Sequence, residues 1–320
     1  MNGLPTWPHG ASPWHAGEQA LQQRAGSAEL LAEAGHRIMR AEMPQQHRDF
    51  FGQLPFIVLG AADAQGQPWA TLLAGEPGFV KATAVDRLQL RALPQPGDPL
   101  HGALHEGQAV ALLGIEPHTR RRNRANGDIG SLGDSGFSVQ VRQSFGNCPQ
   151  YIQRRELEPV PGDGMAAEQG TALQGRAEEM VRAADTFFVA TQALTGEVSG
   201  GADVSHRGGK AGFVRVHEGG ALLSWPDFAG NRFFNTLGNL ALDSRAGLVF
   251  ADFGTGDLLH VAGRAEVVWS GAEVASFQGA QRIVRLQVDR WLLRRGAFPL
   301  RGALRELSPT LGKTGAWPAA

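Results

Sequence analysis

The stretch DVSHRGGKAGFVRV, from Asp203 to Val216, decides the fold because its second part occurs twice in the chain. The run Gly212-Phe213-Val214-Arg215 echoes Gly78-Phe79-Val80-Lys81, which lies 134 positions earlier. Leu222 matches Leu88 at the same offset. Matches that keep one spacing indicate that a structural unit has been duplicated.

Further matches keep the same order along the chain. Ala246–Phe250 matches Ala109–Leu113 at an offset of 137 positions, and Phe187–Ala190 resembles the apolar run at Ile57. The remaining matches pair Gly263 with Gly127, and Ile283, Leu286 and Val288 with Val139 and Val141. Each half holds short strands and a single helical stretch, whereas a parallel sheet needs a helix between successive strands. We therefore predict a mainly β fold with flanking helices, built from two tandem antiparallel split barrels that form an intrachain pseudo-dimer; an open sandwich is the alternative.

Three units follow from these matches. Residues 1–50 are predicted to form an N-terminal arm with helices, residues 51–160 the first barrel, and residues 167–320 the second. The stretch 158–166 is short and rich in Gly and Pro, which is typical of a linker. Apolar residues recur at helical steps over 18–43, and we expect Gly26 and Gly35 to divide this region into separate helices.

Composition excludes several classes of function. Lys plus Arg is 30 and Asp plus Glu is 31, which argues against a nucleic-acid binder held by charge. One cysteine excludes an internal disulfide or a multi-cysteine metal site, and no metal ligand set is recognisable. No apolar run approaches the roughly 20 residues that span a bilayer, and the N-terminus does not resemble a secretory signal. We expect a cytoplasmic protein that binds neither nucleic acid nor membrane.

The segment Asp203–Lys210 carries the residue types of a phosphate site. It combines a hydroxyl, a guanidinium, an ammonium and two adjacent glycines, whose backbone amides a ligand can approach closely. An exposed polar hairpin loop between two strands is the alternative. The stretch Trp225–Leu240 follows as a loop and a short helix, and its helix N-terminus with Arg232 could bind the same anion. A capped helix with an apolar face would produce the same pattern.

The ordered set DVSHRGGKAGFVRV, WPDFAGNRFFNTLGNL and SRAGLVFADFGTGDLLHVAGRAEVV resembles the FMN-binding split barrel of pyridoxamine 5′-phosphate oxidase-like proteins. The likeness is strongest over about 190–270 and weaker in the first half, while QSFGNCPQYIQRR resembles a segment that follows the barrel in this family. The chain does not resemble the vitamin B6 oxidase itself, whose phosphate-strand and substrate motifs are missing.

The resemblance implies that FMN lies at the interface of the two barrels. Strand residues 258–264 would then lie along its ring. The cofactor-binding residues it implies are Ser205, His206, Arg207, Gly208, Asn231, Arg232, Asn235, Thr236 and Asn239, with Phe145, Asn147, Cys148 and Tyr151 as a cap over the flavin.

The first half departs from this pattern. Where the second half has its Ser-x-Arg-Gly element, the first has Thr71–Glu76, which lacks the guanidinium and brings a carboxylate. We expect one working site, built mainly by the second half. The first half would act as the partner barrel, and two such chains could form a homodimer.

Two other groups of residues have alternative interpretations. For the cluster Arg120, Arg121, Arg122 and Arg124 we favour solvated charges at a strand-edge turn over an anion site. His118, His206 or His260 would be the axial ligand if the barrel held haem.

The sequence thus predicts an FMN-dependent oxidoreductase that transfers hydride through flavin N5 to or from a small-molecule substrate, with NAD(P)H as a candidate electron donor. No catalytic acid or base is identified. The alternative is a non-catalytic flavin- or haem-binding module, and a deazaflavin is an alternative cofactor.

Overall fold

Two large antiparallel sheets dominate the computed structural model, which describes Trp7, Gly10, residues 12–160, Gly162 and residues 167–318. Part of the predicted N-terminal unit over 1–50, namely residues 1–6, 8, 9 and 11, and most of the predicted linker after residue 160 lie outside the described residues. The first sheet contains β1 (Phe56–Ala62), β2 (Pro68–Ala74), β3 (Val80–Ala84), β4 (Arg87–Leu90), β5 (Ala109–Glu116), β6 (Arg121–Gly133) and β7 (Gly136–Gly146).

Three short strands connect the sheets: β8 (Arg154–Arg155), β9 (Glu158–Pro159) and β10 (Glu168–Gly170). The second sheet contains β11 (Thr186–Ala193), β12 (Gly201–Gly208), β13 (Arg215–Val216), β14 (Leu222–Phe228), β15 (Arg245–Ala251), β16 (Leu258–Val268) and β17 (Ala280–Arg294). After it come β18 (Leu300–Arg301), β19 (Leu304–Glu306) and a 3-10 helix over Pro309–Lys313.

The two sheets have the same strand order. The first runs β2-β1-β5-β6-β7-β4-β3, and the second runs β12-β11-β15-β16-β17-β14-β13. The chain is therefore mainly β and antiparallel, as the sequence predicts, and the matched apolar runs occupy equivalent strands. The short strand β10 pairs with the C-terminal end of β17. Two further pairs lie outside the large sheets, β18 with β9 and β19 with β8.

A glycine at a β-bulge marks equivalent points of the two sheets. The register of β6 shifts at Gly127, and that of β16 shifts at Gly263. A side chain would not fit at either position, because a Cβ would lie 1.9 Å from the Gln140 carbonyl oxygen or 2.0 Å from that of Gln287. The predicted match between these two glycines is confirmed, and the bulge explains it.

One predicted match is wrong by a single residue. Leu88 pairs with Val139, and its counterpart in the second sheet is Leu223, which pairs with Leu286. Both leucines are fully buried, whereas Leu222 is half-buried. Because side chains alternate between the two faces of a strand, a shift of one residue exchanges the buried and exposed positions.

The two sheets pack against each other through a shared apolar core. Phe56 and Val58 of β1 join Phe188 of β11 and Val204 of β12 in this core. The strands approach closely where side chains are small: a Cβ on Gly60 would lie 2.9 Å from that of Val204. Each half also has a separate core of its own.

The helices cover the outside of the sheets and reach the interface. They are α1 (Ala16–Arg24), α2 (Ala28–Ile38), α3 (Gln45–Gln53), α4 (Gly175–Ala183), α5 (Asn235–Leu242) and α6 (Ala272–Ser276). Gly26 separates α1 from α2 with φ +66°, as predicted. Gly35 instead lies inside α2, because the Trp14 indole packs where its side chain would be, 2.6 Å from an added Cβ. Within the described residues, no helix is long and apolar enough to span a membrane.

Candidate functional site

A cleft opens between the two halves, with a volume of about 920 Å³ counted out to open solvent. The ends of β6 and β7 form one wall, and β12, β14 and the start of α5 form the other. Among the described residues, its lining holds five arginines and one carboxylate: Arg122, Arg124, Arg207, Arg232, Arg282 and Asp227. The cleft is therefore strongly cationic.

The predicted phosphate segment is a strand and not a loop. Residues 201–208 form the edge strand β12, in which Ala202 and Val204 face the shared core while Asp203, Ser205 and Arg207 alternate with them. The alternative, an exposed polar hairpin loop, is wrong, because this segment is buried between the halves. Trp225–Phe228 also belongs to a strand, β14, while the helix that begins at Asn235 is confirmed.

Ser205 is held in a closed polar network at the back of the cleft. Its hydroxyl donates to Asp203 Oδ2 at 2.9 Å. Thr236 Oγ1 lies 2.7 Å from the same hydroxyl and 3.1 Å from Asp203 Oδ2. Because these groups satisfy one another, Ser205 and Thr236 form the floor of the cleft.

Arg124 joins this network from the other half of the chain. Its guanidinium donates to Ser205 Oγ and, at 3.0 Å, to Asn235 Oδ1, and it lies 3.2 Å from Asp203. Burial lowers the pKa of Arg124, although Asp203 opposes that shift. Arg124 is buried, so the interpretation of this residue as a solvated charge is wrong.

Arg122 lies two residues earlier on β6 and reaches His206. Its Nη1 is 3.0 Å from His206 Nδ1. A guanidinium can only donate, so Nδ1 accepts and the proton of the neutral imidazole sits on Nε2. Burial and then Arg122 hold the pKa of His206 well below 6.5, so the ring is neutral near pH 7. Burial and the neighbouring Arg124 and Arg207 lower the pKa of Arg122 to about 9.

The opposite wall places two arginines on one carboxylate. Arg207 Nη1 donates to Asp227 Oδ1 at 2.9 Å, and Arg282 Nε lies 3.1 Å from Asp227 Oδ2. Burial lowers the pKa of Arg282, with Asp227 acting in the opposite sense. In the described part of the molecule, four buried guanidinium nitrogens here have neither a hydrogen bond nor an ion pair: Arg122 Nε, Arg124 Nε, Arg207 Nε and Arg282 Nη1. Such donors are costly to bury unless a ligand or an ordered water accepts from them.

The mouth of the cleft is formed by the loop before α5. Asn231 Oδ1 accepts from the Phe233 amide at 3.1 Å, and both Arg232 (φ 62°) and Phe234 (φ 64°) have left-handed backbones. Asn231 and Arg232 are exposed there. Two such residues in one short loop are uncommon outside functional sites.

Three of the four predicted cap residues lie on the cleft. Asn147, Cys148 and Tyr151 line it, and the Tyr151 ring stacks on Phe228 with centroids 5.2 Å apart. The fourth, Phe145, is buried in a separate cluster with Trp14 and Phe233.

Gly208 is required for a reason that the sequence did not reveal. A Cβ there would lie 2.0 Å from the Tyr151 carbonyl oxygen, so the segment that carries Tyr151 crosses directly over β12. Tyr151 itself has φ 64°.

Other predicted site residues lie elsewhere. Asn239 donates to Thr191 Oγ1 at 3.1 Å and does not line the cleft. Residues 258–264 lie in β16 at the centre of the second sheet, where all but Arg264 are buried, and they are likewise not part of the lining. His118 is on the surface near Glu116, and His260 is fully buried with its Nδ1 3.1 Å from the Ala70 carbonyl oxygen. The described residues contain no group of metal-ligating side chains.

Helix α1 buttresses the site from outside both sheets. Glu18 accepts from Asn235 Nδ2 at 2.5 Å, and Gln22 donates to the Phe233 carbonyl at 3.2 Å. Burial raises the pKa of Glu18 to about 8. Gly17 and Gly238 allow the close crossing of α1 and α5, because a Cβ on Gly17 would lie 2.2 Å from the Gly238 carbonyl oxygen. This helix therefore fixes Asn235, the residue that holds Arg124.

The sequence did not point to Asp227, Arg282 and Glu18, and for Arg122 and Arg124 it favoured solvated charges over an anion site. Arg122 and Arg124 lie two residues apart on β6, so their side chains point to the same face of the strand. This period of two was the signal that could have placed both arginines at one site. For Glu18 and Arg282 no local pattern points to the cleft, because long-range packing brings them there.

Comparisons with known proteins add partial likenesses of fold. No family model and no curated protein matches the chain. Among solved structures, the H111A variant of HupZ from Group A Streptococcus aligns at 12% identity and a TM-score of 0.29, over 37% of this chain and 98% of that one. An FAD-binding protein from Mesorhizobium loti aligns at 12% identity and 0.27, over 42% and 100%. A pyridoxinephosphate oxidase family protein from Clostridium acetobutylicum, related to general stress protein 26, aligns at 13% and 0.26, over 40% and 90%. Each alignment covers less than half of this chain, so the function proposed below is argued from the cleft itself.

Proposed function

We propose that the cleft binds FMN and that the chain is an FMN-dependent oxidoreductase built from two tandem split barrels. The observation that supports this proposal is the set of buried guanidinium N–H groups without a partner on Arg122, Arg124, Arg207 and Arg282. The identical strand order of the two sheets supports the duplicated barrel.

The charge of the cleft suits a phosphate dianion. Asp227 is shared by two arginines, and Asp203 lies behind Ser205, so the cations outnumber the anions. Arg122 stays largely protonated at pH 7, since its pKa is lowered only to about 9. A bound phosphate would accept from the free donors and offset the repulsion between the guanidinium groups.

The rest of the lining suits a flat ring system. Tyr151 and Phe228 stack at the mouth, and Phe213, Phe234 and Leu237 supply apolar surface nearby. When bound, the flavin supplies hydride chemistry at its N5. The protein's part is then to hold the anionic tail, orient the ring and keep water from the apolar side of the cleft.

The residues behind the lining bind and position, with no acid or base singled out. Asp203, Ser205 and Thr236 hold one another and Arg124 in place. His206 is neutral, and its Nε2–H is a buried donor without a partner in the described residues.

The same tautomer argues against the haem alternative. An axial histidine ligates iron through a nitrogen lone pair, and on His206 the lone pair at Nδ1 faces Arg122 at 3.0 Å. Coordination through Nε2 would require a proton on Nδ1, directly against a guanidinium donor. The cleft therefore fits an anionic nucleotide better than haem.

Flavin titration of paired variants tests the binding site. Arg122→Gln combined with Arg207→Gln removes two charged hydrogen bonds of about 1.5–3 kcal/mol each, which weakens FMN binding about 10²–10⁴-fold. Riboflavin, which has no phosphate, should bind the variant and the wild type alike. Arg120→Gln is the matched control, because Arg120 bonds to the Ile152 and Leu307 carbonyls away from the cleft. Equal losses for FMN and riboflavin would refute the phosphate assignment.

Turnover separates the enzyme from a binding module. FMN-loaded protein is mixed anaerobically with NADH or NADPH, and bleaching of the flavin absorbance is followed. Reduction followed by reoxidation with an electron acceptor supports an oxidoreductase. A loaded protein that is inert to both donors and to other reductants of low potential would be a module that only binds flavin.

A further inference from the structure

A second place between the two halves corresponds to the cleft, with the roles of the halves exchanged. Thr71 pairs with Leu59 in the first sheet, as Ser205 pairs with Val189 in the second. The bulge glycines fix the next pair of equivalent positions. Arg124 lies three residues before Gly127, and His260 lies three residues before Gly263.

A third pair follows from the neighbouring strands. Gly127 pairs with Val141 and Gly263 pairs with Val288. Asn147, which lines the cleft, lies six residues after Val141, and Arg294 lies six residues after Val288. The counterparts of Ser205, Arg124 and Asn147 are therefore Thr71, His260 and Arg294.

A carboxylate of the first half, that of Asp98, occupies the space among these counterparts. Asp98 Oδ2 accepts from Thr71 Oγ1 and, at 3.0 Å, from Arg294 Nη1, and it lies 3.8 Å from His260 Nε2. Its other oxygen accepts from the Leu100 amide at 3.0 Å. The Asp98 side chain is 1% exposed, and that of Arg294 is 9% exposed. The carboxylate thus receives a hydroxyl, a guanidinium and a backbone amide, which are the donors typical of an oxyanion site.

We propose that Asp98 is a built-in anion that fills the counterpart of the cleft, so that each chain binds one ligand anion. Removal of this carboxylate uncovers a second oxyanion site formed by Thr71, Arg294 and the Leu100 amide. The inference rests on the proposed function in one respect, namely that the cleft of the second half takes a phosphate.

The second half differs at the corresponding places. Asp98 lies on the loop over 94–104, which leads into β5, whereas α5 stands before β15. The chain there supplies Arg207 where the first half has Leu73, and Arg207 lines the cleft. An internal anion closes one site while the other stays open.

Chemical rescue tests this directly. Asp98→Ala removes the carboxylate and leaves the donors, and formate or inorganic phosphate is then added against sodium chloride of equal ionic strength. The expected result is a rise in melting temperature of about 2 °C or more that saturates with anion concentration. Asp98→Asn is the matched control, because its side chain still fills the space among Thr71, His260 and Arg294 and leaves no room for the added anion. Equal responses of the two variants would overturn the proposal.

A second variant covers the case in which Asp98→Ala does not fold in chloride. Refolding yields are then compared in formate and in chloride for Asp98→Ala and for Asp98→Ala combined with Arg294→Met. Formate should restore the yield of the single variant and leave the double variant unchanged, since the double variant lacks the guanidinium. A single variant that formate leaves unfolded, beside a folded double variant, would overturn the proposal.

Stoichiometry distinguishes this inference from the proposed function. Wild-type protein should bind one FMN per chain, and two per chain would refute the built-in anion. If no FMN binds, the proposed function fails, while the formate response of Asp98→Ala still decides the role of the carboxylate.

Discussion

The crossing of α1 over α5 can be tested with a glycine-to-alanine substitution. This substitution should lower the free energy of unfolding at Gly17, in the crossing, and raise it at Gly52, away from the crossing. Gly17→Ala places a methyl group 2.2 Å from the Gly238 carbonyl oxygen and 3.0 Å from its carbon. Alanine favours a helix over glycine by up to about 1 kcal/mol, whereas overpacking costs about 1–3 kcal/mol. The contact is short by about 1 Å and involves backbone on the far side, so the steric cost wins. We expect a net loss of about 1–2 kcal/mol in the free energy of unfolding.

The same change at Gly52 is the matched control. Gly52 lies within α3, where an added Cβ has nothing within 4 Å. There the helix preference acts alone, and alanine should stabilise the protein by about 0.5–1 kcal/mol. Both variants are measured by urea unfolding, with slopes compared to verify that only stability has changed.

The substitution at Gly17 should also reach the cleft. Separation of α1 from α5 pulls Glu18 from Asn235, which holds Arg124. Phosphate or FMN affinity should therefore fall for Gly17→Ala and stay unchanged for Gly52→Ala. Stabilisation by alanine at Gly17, or full affinity in that variant, would refute the role assigned to the helix.

Three further predictions concern single residues. Burial raises the pKa of Glu18 from 4.5 to about 8. Between these pH values the folded state keeps a proton on Glu18 that the unfolded state loses. The ionisation of Glu18 therefore lowers the free energy of unfolding as pH rises from about 4.5 to about 8. Glu18→Gln removes this ionisation, so the variant's stability relative to wild type should increase across that window and level off above it; a flat difference in urea unfolding would contradict this. Leu223→Ala should cost about 2–5 kcal/mol and Leu222→Ala much less, and equal losses would contradict the register of β14. Asp227→Asn should lower stability by about 3–5 kcal/mol, because two arginines lose their carboxylate, yet tighten phosphate binding in calorimetry; weaker binding would count against the anion site.

The strands and their repeat could be predicted because they depend on local patterns. Apolar runs such as Phe187–Ala190 and Ala109–Leu113 become central strands in each sheet, and the repeated order carries over to the topology. The helix at Asn235 was similarly readable from its sequence.

The predicted loop at Asp203–Lys210 failed for a physical reason. Polar residues with two glycines are typical of an exposed turn, but here tertiary contacts override that preference. Ser205 and Asp203 are buried because Arg124 and Thr236 complete their hydrogen bonds. Such partners lie far away in sequence, so no local window contains them.

The first-half site was predicted to be degenerate, with Glu76 as the reason. The structure places a different carboxylate, that of Asp98, beside Thr71. The sequence of this chain indicates that Thr71–Glu76 lacks a guanidinium group. It does not indicate which acidic residue of a neighbouring loop folds inward.

A crystal structure of the protein with FMN would show where the phosphate binds. We expect a phosphorus atom within hydrogen-bonding reach of the guanidinium groups of Arg122, Arg207 and Arg282, with the ring beside Tyr151 and Phe228. Density for the nucleotide at any other surface, or an unchanged cleft in crystals saturated with FMN, would contradict this expectation.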